Sequence, residues 1–521
     1  MLTDNVGMID GALGFGYGWR CLTAAEAVSA DGISRMVEDS TPDSSADHSA
    51  TPPPEQPSTI DGAPRRRGRR SAYATKDLTK GSVPRNLWFL AWPQVAESFL
   101  SVVDQLADLI WAGRLGFQAI AGLGVAQSYL MMLMTARMGL DSGMRSMISR
   151  AVGARQIAYA NHVVLQALTL TTAYSVVLVT IGLVLTVPLL RVLGLSDGVV
   201  SQAAPYMRVQ FFAMAMMGYQ RMTAGALQAS GDSMTPLKAA TVSRVGHLVL
   251  SPFLIFGWWW FPEFGLAGAA LANLISQSIG VGMNMRALLV GSSRLHMTFK
   301  GYYIDYPLLW RVLKIGLPAS VTGAQRAVSQ LIVVAIVASF GDIALAAFAM
   351  TRRAENTVLH ASRGMGRAAG ALAGQNLGAN LPGRAKASVF WAIVYASVAS
   401  VTISAVFLIF PNQVASFFNS DPEFIAQAAL WLQVLAIGYF SMNTVQVFTQ
   451  SFNTTGATVA PMIVTVSTMW LLELPLAYVL SRHTSLEELG IPWAIVFGMT
   501  LRLMIFTWYY MRGSWLRTGM L

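Results

Sequence analysis

The sequence predicts an all-α membrane protein with twelve transmembrane helices in two pseudo-symmetric six-helix lobes that form a parallel repeat. Three observations support this prediction. The chain is 54% hydrophobic and only 12% charged, whereas an average soluble domain carries about 25% charged residues. Apolar runs of the ~20 residues needed to cross a bilayer recur through most of the chain. Residues 225 positions apart also match through both halves.

Composition divides the chain into five segments. Residues 1–80 are rich in Ser, Pro, Asp and Arg, and we expect them to form a disordered cytoplasmic tail. Residues 84–292 are expected to form the N-lobe (TM1–TM6) and residues 311–512 the C-lobe (TM7–TM12). A cytoplasmic linker at 293–310 joins them, and a C-terminal tail follows at 513–521.

The apolar spans begin near Asn86. Their approximate limits are 86–112, 119–142, 161–187, 200–228, 236–259, 265–290, 311–339, 344–371, 386–410, 423–451, 459–481 and 490–511. Basic residues concentrate in the loops on one side of these spans, as the positive-inside rule describes. We therefore expect both termini to be cytoplasmic and the protein to lie in the cell (inner or plasma) membrane.

The net charge of +10 comes from the same basic residues in the loops. Positive charge without a recognition fold does not indicate nucleic acid. The expected partners are therefore the lipid bilayer and small organic molecules, and we expect a monomer. Cys21 is the only cysteine, which excludes an intramolecular disulfide and a cysteine-based metal cluster.

The two halves repeat at a constant offset of 225 residues. The matching pairs are Pro93 and Pro318, Gln105 and Gln330, Gly116 and Gly341, Gly153 and Gly378, Gly231 and Gly456, Pro236 and Pro461, and Gly265 and Gly490. One offset held through six spans indicates duplication. Because six is even, the halves share an orientation, and an axis along the membrane normal should relate them. Transporters of this kind rock about a central cavity.

The first span carries three carboxylates, Glu97, Asp104 and Asp108. Each costs about 2.5–3.5 kcal/mol at a bilayer centre on insertion scales, so their presence needs a reason. Their spacings of seven and four place them along one helix face, which we expect to line the protein interior. The span contains no Lys or Arg, so we expect these carboxylates to lack a local partner and to be able to gain and lose a proton. Hydration near a helix end is the alternative for each.

Further polar residues interrupt later spans. His247, in the fifth span, titrates near physiological pH, although a neutral histidine bonded to a neighbouring helix is equally compatible. Arg353 and Glu355, in the eighth span, are two residues apart and do not face each other on one helix, so we expect each to pair with another helix. Glu473, in the eleventh span, is expected to form a structural pair. Together the last three residues define a possible second-lobe polar site.

The sequence contains no GxxxxGK[ST], HExxH or G-x-S-x-G motif. We therefore expect neither an enzyme nor a nucleotide-driven pump. Uphill transport would then draw its energy from an ion gradient.

Two stretches resemble the MATE family, the multidrug and toxic compound extrusion antiporters. "LADLIWAGRLG" (106–116) is similar to the family's first-helix motif, and "RAENTVLHASRGMGRAAGALAGQNLGA" (353–379) is similar to its more specific eighth-helix signature. The resemblance covers about residues 84–512. It implies export of amphipathic or cationic organic compounds in exchange for H+ or Na+, with no metal and no other cofactor.

The resemblance also assigns candidate coupling residues. The family's first-helix acid falls on Asp108. Where the fifth helix commonly reads N-x-x-x-D-P, this chain has His247 and, before the proline, Ser251. Hard cations prefer carboxylate and carbonyl oxygens, so this departure favours proton coupling through Asp108, His247 and Asp104. Glu473 stands where a basic residue is common in the eleventh helix.

Three alternatives remain open. A flippase for lipid-linked saccharides would share the architecture, and Arg326 and Arg352 could contribute a cationic cavity, although the G-Q-N-x-G-A match favours the exporter. A membrane-embedded lipid-modifying enzyme would need a nucleophile or a metal-ligand cluster on one face. A non-transporting receptor would require the cavity acids to be dispensable.

Overall fold

The structure, a computed structural model, describes residues 76–114, 137–192 and 197–517, and these residues form helices and connecting loops. The helices are α1 (Val83–Arg114), α2 (residues 137–153), α3 (Ile157–Val192), α4 (Asp197–Ser230), α5 (Met234–Phe256), α6 (Leu266–Val290), α7 (Tyr306–Ala338), α8 (Asp342–Gly378), α9 (Pro382–Ile409), α10 (Pro422–Thr455), α11 (Val459–His483) and α12 (Gly490–Arg512). A short helix, Pro411–Ser416, precedes α10. The all-α prediction is confirmed.

Some predicted features lie outside the described residues. They are the predicted tail as far as residue 75, Gly116, the predicted second span as far as residue 136, and residues 518–521. Within the described part of the chain, eight helices are long and apolar enough to cross a membrane, namely α3, α5, α6, α7, α9, α10, α11 and α12. Helices α1, α4 and α8 are 32, 34 and 37 residues long and carry charged side chains inside their spans, among them Glu97, Arg221 and Glu355.

Each half of the chain has its own core. In the first half, α4 packs on α3 and α6, and Met144, Val164 and Leu227 are buried between helices. In the second half, α10 packs on α8, α9 and α12. Phe448 and Phe452 stack there with ring centroids 5.5 Å apart. Burial of these apolar side chains organises two helical bundles.

The first helix of each half packs against helices of the other half. Leu87 and Leu90 of α1 pack against Met365 of α8. Val312 of α7, the repeat counterpart of α1, lies in one buried cluster with Met144 of α2, and its backbone lies beside Gly143. The exchange is reciprocal, as expected for two repeats related by a two-fold axis.

Local backbone geometry also follows the repeat. Gly231 ends α4 with φ +106° and Gly456 ends α10 with φ +91°, a region that glycine occupies without steric cost. The match is imperfect, because Gly265 has φ +54° and Gly490 has φ −59°. Duplication therefore preserves the main turns but not every loop.

The two halves touch through α2 and α8. The helices cross so closely that a Cβ atom on Gly153 would overlap the backbone of Gln375, and one on Gly378 would overlap the backbone of Arg150. Gly153 and Gly378 are repeat counterparts, and so are Arg150 and Gln375. The contact is therefore isologous, with each half presenting the same surface to the other.

Hydrogen bonds reinforce this contact. Arg150 Nη2 donates to the carbonyl oxygen of Thr455 over 2.9 Å, and Gln375 Nε2 donates to that of Ala229 over 2.8 Å. Each donor reaches the last turn of the fourth helix of its partner half. The contact lies at the end where Arg155 follows α2 in a connecting loop and Arg384 lies in the first turn of α9, so the halves are closed on the side predicted to be cytoplasmic.

Candidate functional site

A polar triad lies inside the first half. Asp104 of α1 and His247 of α5 are both buried, and Asp104 Oδ1 lies 2.7 Å from His247 Nδ1. Arg244 forms an ion pair with the other carboxylate oxygen, Oδ2. Arg244 and His247 face the same carboxylate because residues three apart share one face of a helix. Asp104 has no basic partner within its own span, as the sequence indicated, but Arg244 and His247 of α5 pair with it from another helix.

The other two carboxylates of α1 have separate outcomes. The α1 backbone is described as far as Arg114, but the side chain of Asp108 lies outside the described residues. Glu97 Oε2 accepts a hydrogen bond of 2.8 Å from Gln228 Nε2. Gln228 in turn accepts one from Arg145, which is paired with Asp141 at 2.8 Å. Glu97 thus belongs to a hydrogen-bond network that joins α1, α2 and α4, and Arg221 interacts electrostatically with both this network and Arg244 of the triad.

The eighth helix differs from the prediction. Glu355 is buried and pairs with Arg352 one turn away on the same helix, with Oε2 and Nη1 2.6 Å apart. The expectation that Glu355 pairs with another helix is therefore wrong. A three-residue spacing allows an ion pair within one helix where a two-residue spacing does not. Arg353 is exposed.

Glu473 is held by a residue that sequence reasoning missed. Arg502 of α12 donates from Nη2 to Glu473 Oε2 over 3.1 Å and from Nε to Thr468 Oγ1 over 2.8 Å. Both members of the ion pair are buried. The contact coincides with a π-helical turn, Met469–Glu473, inside α11. Such turns are rare and often occur at functional sites.

Three arginines, Arg221, Arg326 and Arg363, lie in the space between the two halves, hereafter the central space. Arg221 of α4 is exposed there, yet it interacts electrostatically with His360 and Arg363 of α8 in the other half. Arg326 of α7 interacts likewise with Arg363. Sequence reasoning singled out Arg326 and Arg352 as a possible cationic cavity and Arg353 as part of a second-lobe polar site, but neither Arg221 nor Arg363. An arginine inside a predicted span, as at position 221 or 363, was the signal available, because such residues are costly in lipid.

This architecture defines a class of protein. Two helical bundles, related by a pseudo-two-fold axis, meet at one end and enclose charged side chains within the membrane region. Membrane transporters that work by alternating access have this organisation. The MatE family model matches residues 93–253 and 318–479, once in each half, and the chain belongs to this family of multidrug and toxic compound extrusion transporters.

Individual relatives agree with the family assignment. The "Probable multidrug resistance protein YoeA" of Bacillus subtilis is 28% identical over 440 residues, which cover 84% of this chain and 95% of that protein. The "FAD transporter" of Shewanella oneidensis is 24% identical over 402 residues, which cover 77% and 88% of the two chains. A solved structure described as the "outward-facing conformation of a multidrug resistance MATE family transporter" has a TM-score of 0.80 at 22% identity, and the match covers 87% of this chain and 100% of that one.

Family membership decides two predictions. The two-lobe helical fold is confirmed. Hereafter the first half of the chain, α1–α6, is called the N-lobe and the second half, α7–α12, the C-lobe. Members of the family are transporters, so the alternative of a lipid-modifying enzyme is wrong. The protein is a multi-pass membrane transporter related to drug-efflux proteins.

Proposed function

We propose that the protein is an antiporter that exports amphipathic organic compounds in exchange for protons. The observation that carries this proposal is the buried contact between Asp104 and His247, with Oδ1 and Nδ1 2.7 Å apart. A carboxylate and an imidazole at this distance can pass a proton between them, and histidine changes charge near physiological pH. Asp108, the counterpart of the family's first-helix acid, lies one helical turn further along α1 and is a third candidate carrier.

Three features favour a proton over Na+ as the coupling ion. Both oxygens of Asp104 already face nitrogen atoms of Arg244 or His247. The guanidinium group also repels a second cation. Ser251 supplies a hydroxyl where a carboxylate is common, and this hydroxyl donates to the His247 carbonyl over 2.7 Å. A hard cation therefore finds few free oxygen ligands here.

Alternating access follows from the lobe arrangement. The N-lobe and C-lobe are joined at the end with basic loops, which we assign to the cytoplasm with both termini. In this state the central space would open outward, where cargo leaves and protons enter. Separation of the α2 and α8 contact would open it inward. One chain contains both lobes, so a monomer suffices.

Names of relatives leave the cargo open, since they include a multidrug resistance protein and an FAD transporter. The charge of the cargo is therefore a separate question. What the proposal requires is net outward movement of an organic compound when protons flow inward.

Purified protein in liposomes tests this proposal. Efflux of ethidium, rhodamine 123 and fluorescein would be followed under an imposed pH gradient, with Na+ replaced by choline. We expect pH-driven efflux of at least one dye without Na+. Asp104→Asn and His247→Gln should each abolish the pH-driven component while the protein still folds and inserts. Asp342→Asn, which alters an exposed carboxylate at the start of α8, is the matched control.

Two outcomes would refute the proposal. One is a strict requirement for Na+. The other is undiminished proton-driven efflux after both the Asp104 and the His247 changes.

A further inference from the structure

We infer that the cargo of the central space carries negative charge: an organic anion whose carboxylate, sulfonate or phosphate group is held by arginines of both lobes. The inference rests on the proposed function, because it concerns the same transport site. It differs from the cationic cargo that the family resemblance suggested.

The described residues around the central space carry an excess of positive charge. Electrostatic interactions link these residues into one network. Its nine arginines are Arg137, Arg145, Arg221, Arg244, Arg326, Arg352, Arg363, Arg367 and Arg502. The described carboxylates of the same network number five, Glu97, Asp104, Asp141, Glu355 and Glu473. An excess of four positive charges results with the histidines neutral, and each protonated histidine would add to it.

Most of these carboxylates are already paired with an arginine. Four of the five form ion pairs, with Arg145, Arg244, Arg352 and Arg502. The fifth, Glu97, accepts a hydrogen bond from the neutral amide of Gln228. Within the described part of the chain, no ion pair involves Arg137, Arg221, Arg326, Arg363 or Arg367. Among the described residues of this network, five arginines without an ion pair therefore stand against one carboxylate without one, Glu97.

Three of these arginines lie on helices that pack together across the lobes, because α8 contacts both α4 and α7. Arg221 of α4 belongs to the N-lobe, whereas Arg326 of α7 and Arg363 of α8 belong to the C-lobe. Arg363 interacts electrostatically with Arg221, and Arg326 interacts electrostatically with Arg363. Like charges repel most strongly where the surroundings are poorly polarisable, and low-dielectric walls focus the resulting field. An anion between the lobes would relieve this repulsion.

The chemistry of the side chains fits such an anion. A guanidinium group is planar, remains charged, and offers paired N–H donors that match a carboxylate or phosphate. Arg221 is exposed, and Arg326 and Arg363 are half-buried, so their donors can reach a ligand. A cationic cargo would instead be repelled by all three.

Anionic cargo also gives transport an electrical signature. One anion leaving while one proton enters moves two positive charges inward. An inside-negative membrane potential therefore drives the exchange. Exchange of a monovalent cation for one proton would move no net charge.

Fluorescein and rhodamine 123 form a suitable pair of probes, because they share a xanthene ring system and differ in charge. Binding to purified protein would be measured by fluorescence polarisation, and efflux from phosphatidylcholine liposomes would be measured under potentials of either sign. We expect fluorescein to bind more tightly than rhodamine 123 and to leave the liposomes faster when their interior is negative.

Arg221→Gln and Arg363→Gln should each weaken fluorescein binding about tenfold, a typical effect of losing one charged hydrogen bond. Arg208→Gln, on an exposed position of α4, should not.

The outcomes separate this inference from the proposed function. Tighter binding and export of rhodamine 123 would overturn the anionic assignment and leave proton-driven export intact. Failure of fluorescein to bind would overturn it regardless of transport. Proton-independent, potential-driven fluorescein efflux would support the assignment and refute proton exchange.

A further arm identifies the source of the anion. Fluorescent phosphatidylglycerol, included in the same liposomes, would report lipid flipping through its accessibility to dithionite. Arginine-dependent flipping would identify a lipid headgroup as the anion, and its absence together with fluorescein export would identify a soluble organic anion. If Arg221→Gln and Arg363→Gln changed neither fluorescein binding nor lipid flipping, the assignment would fail.

Discussion

Ser149 of α2 and Gly374 of α8 are repeat counterparts that contact each other directly. A Cβ atom on Gly374 would lie 2.9 Å from that of Ser149. Counterparts separated by 225 residues meet in this way only next to the axis that relates the two lobes. The pair therefore marks the centre of the lobe contact on the predicted cytoplasmic side.

Crosslinking this pair should stop transport. With Cys21, the only native cysteine, changed to serine, we expect oxidation of a Ser149→Cys, Gly374→Cys double variant to form a disulfide. Disulfides need Cβ atoms about 3.5–4.5 Å apart, which a small shift of either helix provides. The bond would hold the lobes closed at this end. Dye efflux from liposomes should fall to background and recover on reduction, whereas each single-cysteine variant should be insensitive to oxidation. Full transport by quantitatively crosslinked protein would show that this contact need not open.

A larger side chain at the lobe contact should hold the two lobes apart, whereas the crosslink holds them together. A Gly378→Leu side chain would overlap the Arg150 backbone and force α8 away from α2, because neither backbone can yield cheaply. We expect at least a tenfold loss of efflux and faster maleimide labelling of a cysteine at position 149.

Gly282 provides the matched control for this experiment. It lies in α6, and a Cβ atom there would have no neighbour within 4 Å. Gly282→Leu should therefore transport normally. Equal effects of the two substitutions, or unchanged labelling in Gly378→Leu, would argue against a steric gate.

The sequence was sufficient to predict the helical spans and the repeat, because both depend on patterns within the chain. The constant offset of the repeat alone also makes Gly153 and Gly378 equivalent positions of the two halves. Pairing across helices was not accessible in this way. His247 was identified by residue type, but its contact with Asp104 depends on how α5 packs against α1.

Sequence reasoning was weakest for arginines. Arg502 and Arg363 each lie within an apolar span, where they could be taken as isolated polar residues. Only packing shows that Arg502 neutralises Glu473 whereas Arg363 forms no ion pair among the described residues. The sign of the charge in the central space is a sum over several helices, and no single span reveals it.

The buried ion pair between Glu473 and Arg502 should be important for stability. We expect Glu473→Gln to destabilise the protein by about 3–5 kcal/mol, because it leaves the Arg502 charge buried without its partner. Replacing both residues, as Glu473→Leu with Arg502→Met, removes both charges and should be much less harmful. Thermal unfolding in detergent would measure the difference. A double variant no more stable than Glu473→Gln would indicate that the pair is not the source of the effect.

Asp305 should make stability depend on pH at the boundary between the linker and α7. Its carboxylate caps α7 by accepting a 3.0 Å hydrogen bond from the Leu308 backbone N–H, and this bond, with His162 nearby, holds the pKa of Asp305 below its usual value. A lowered pKa in the folded state adds stability that is present above the unfolded pKa of about 3.9 and is lost as the pH falls through the folded value. Asp305→Ala should therefore unfold at a lower temperature than the parent at pH 7, and the difference in unfolding temperature should narrow as the pH approaches 3.

Glu263→Ala, which alters an exposed loop carboxylate, is the control and should match the parent throughout. A difference between Asp305→Ala and the parent that stays constant from pH 7 to pH 3 would show that the capping contribution does not come from the ionised carboxylate.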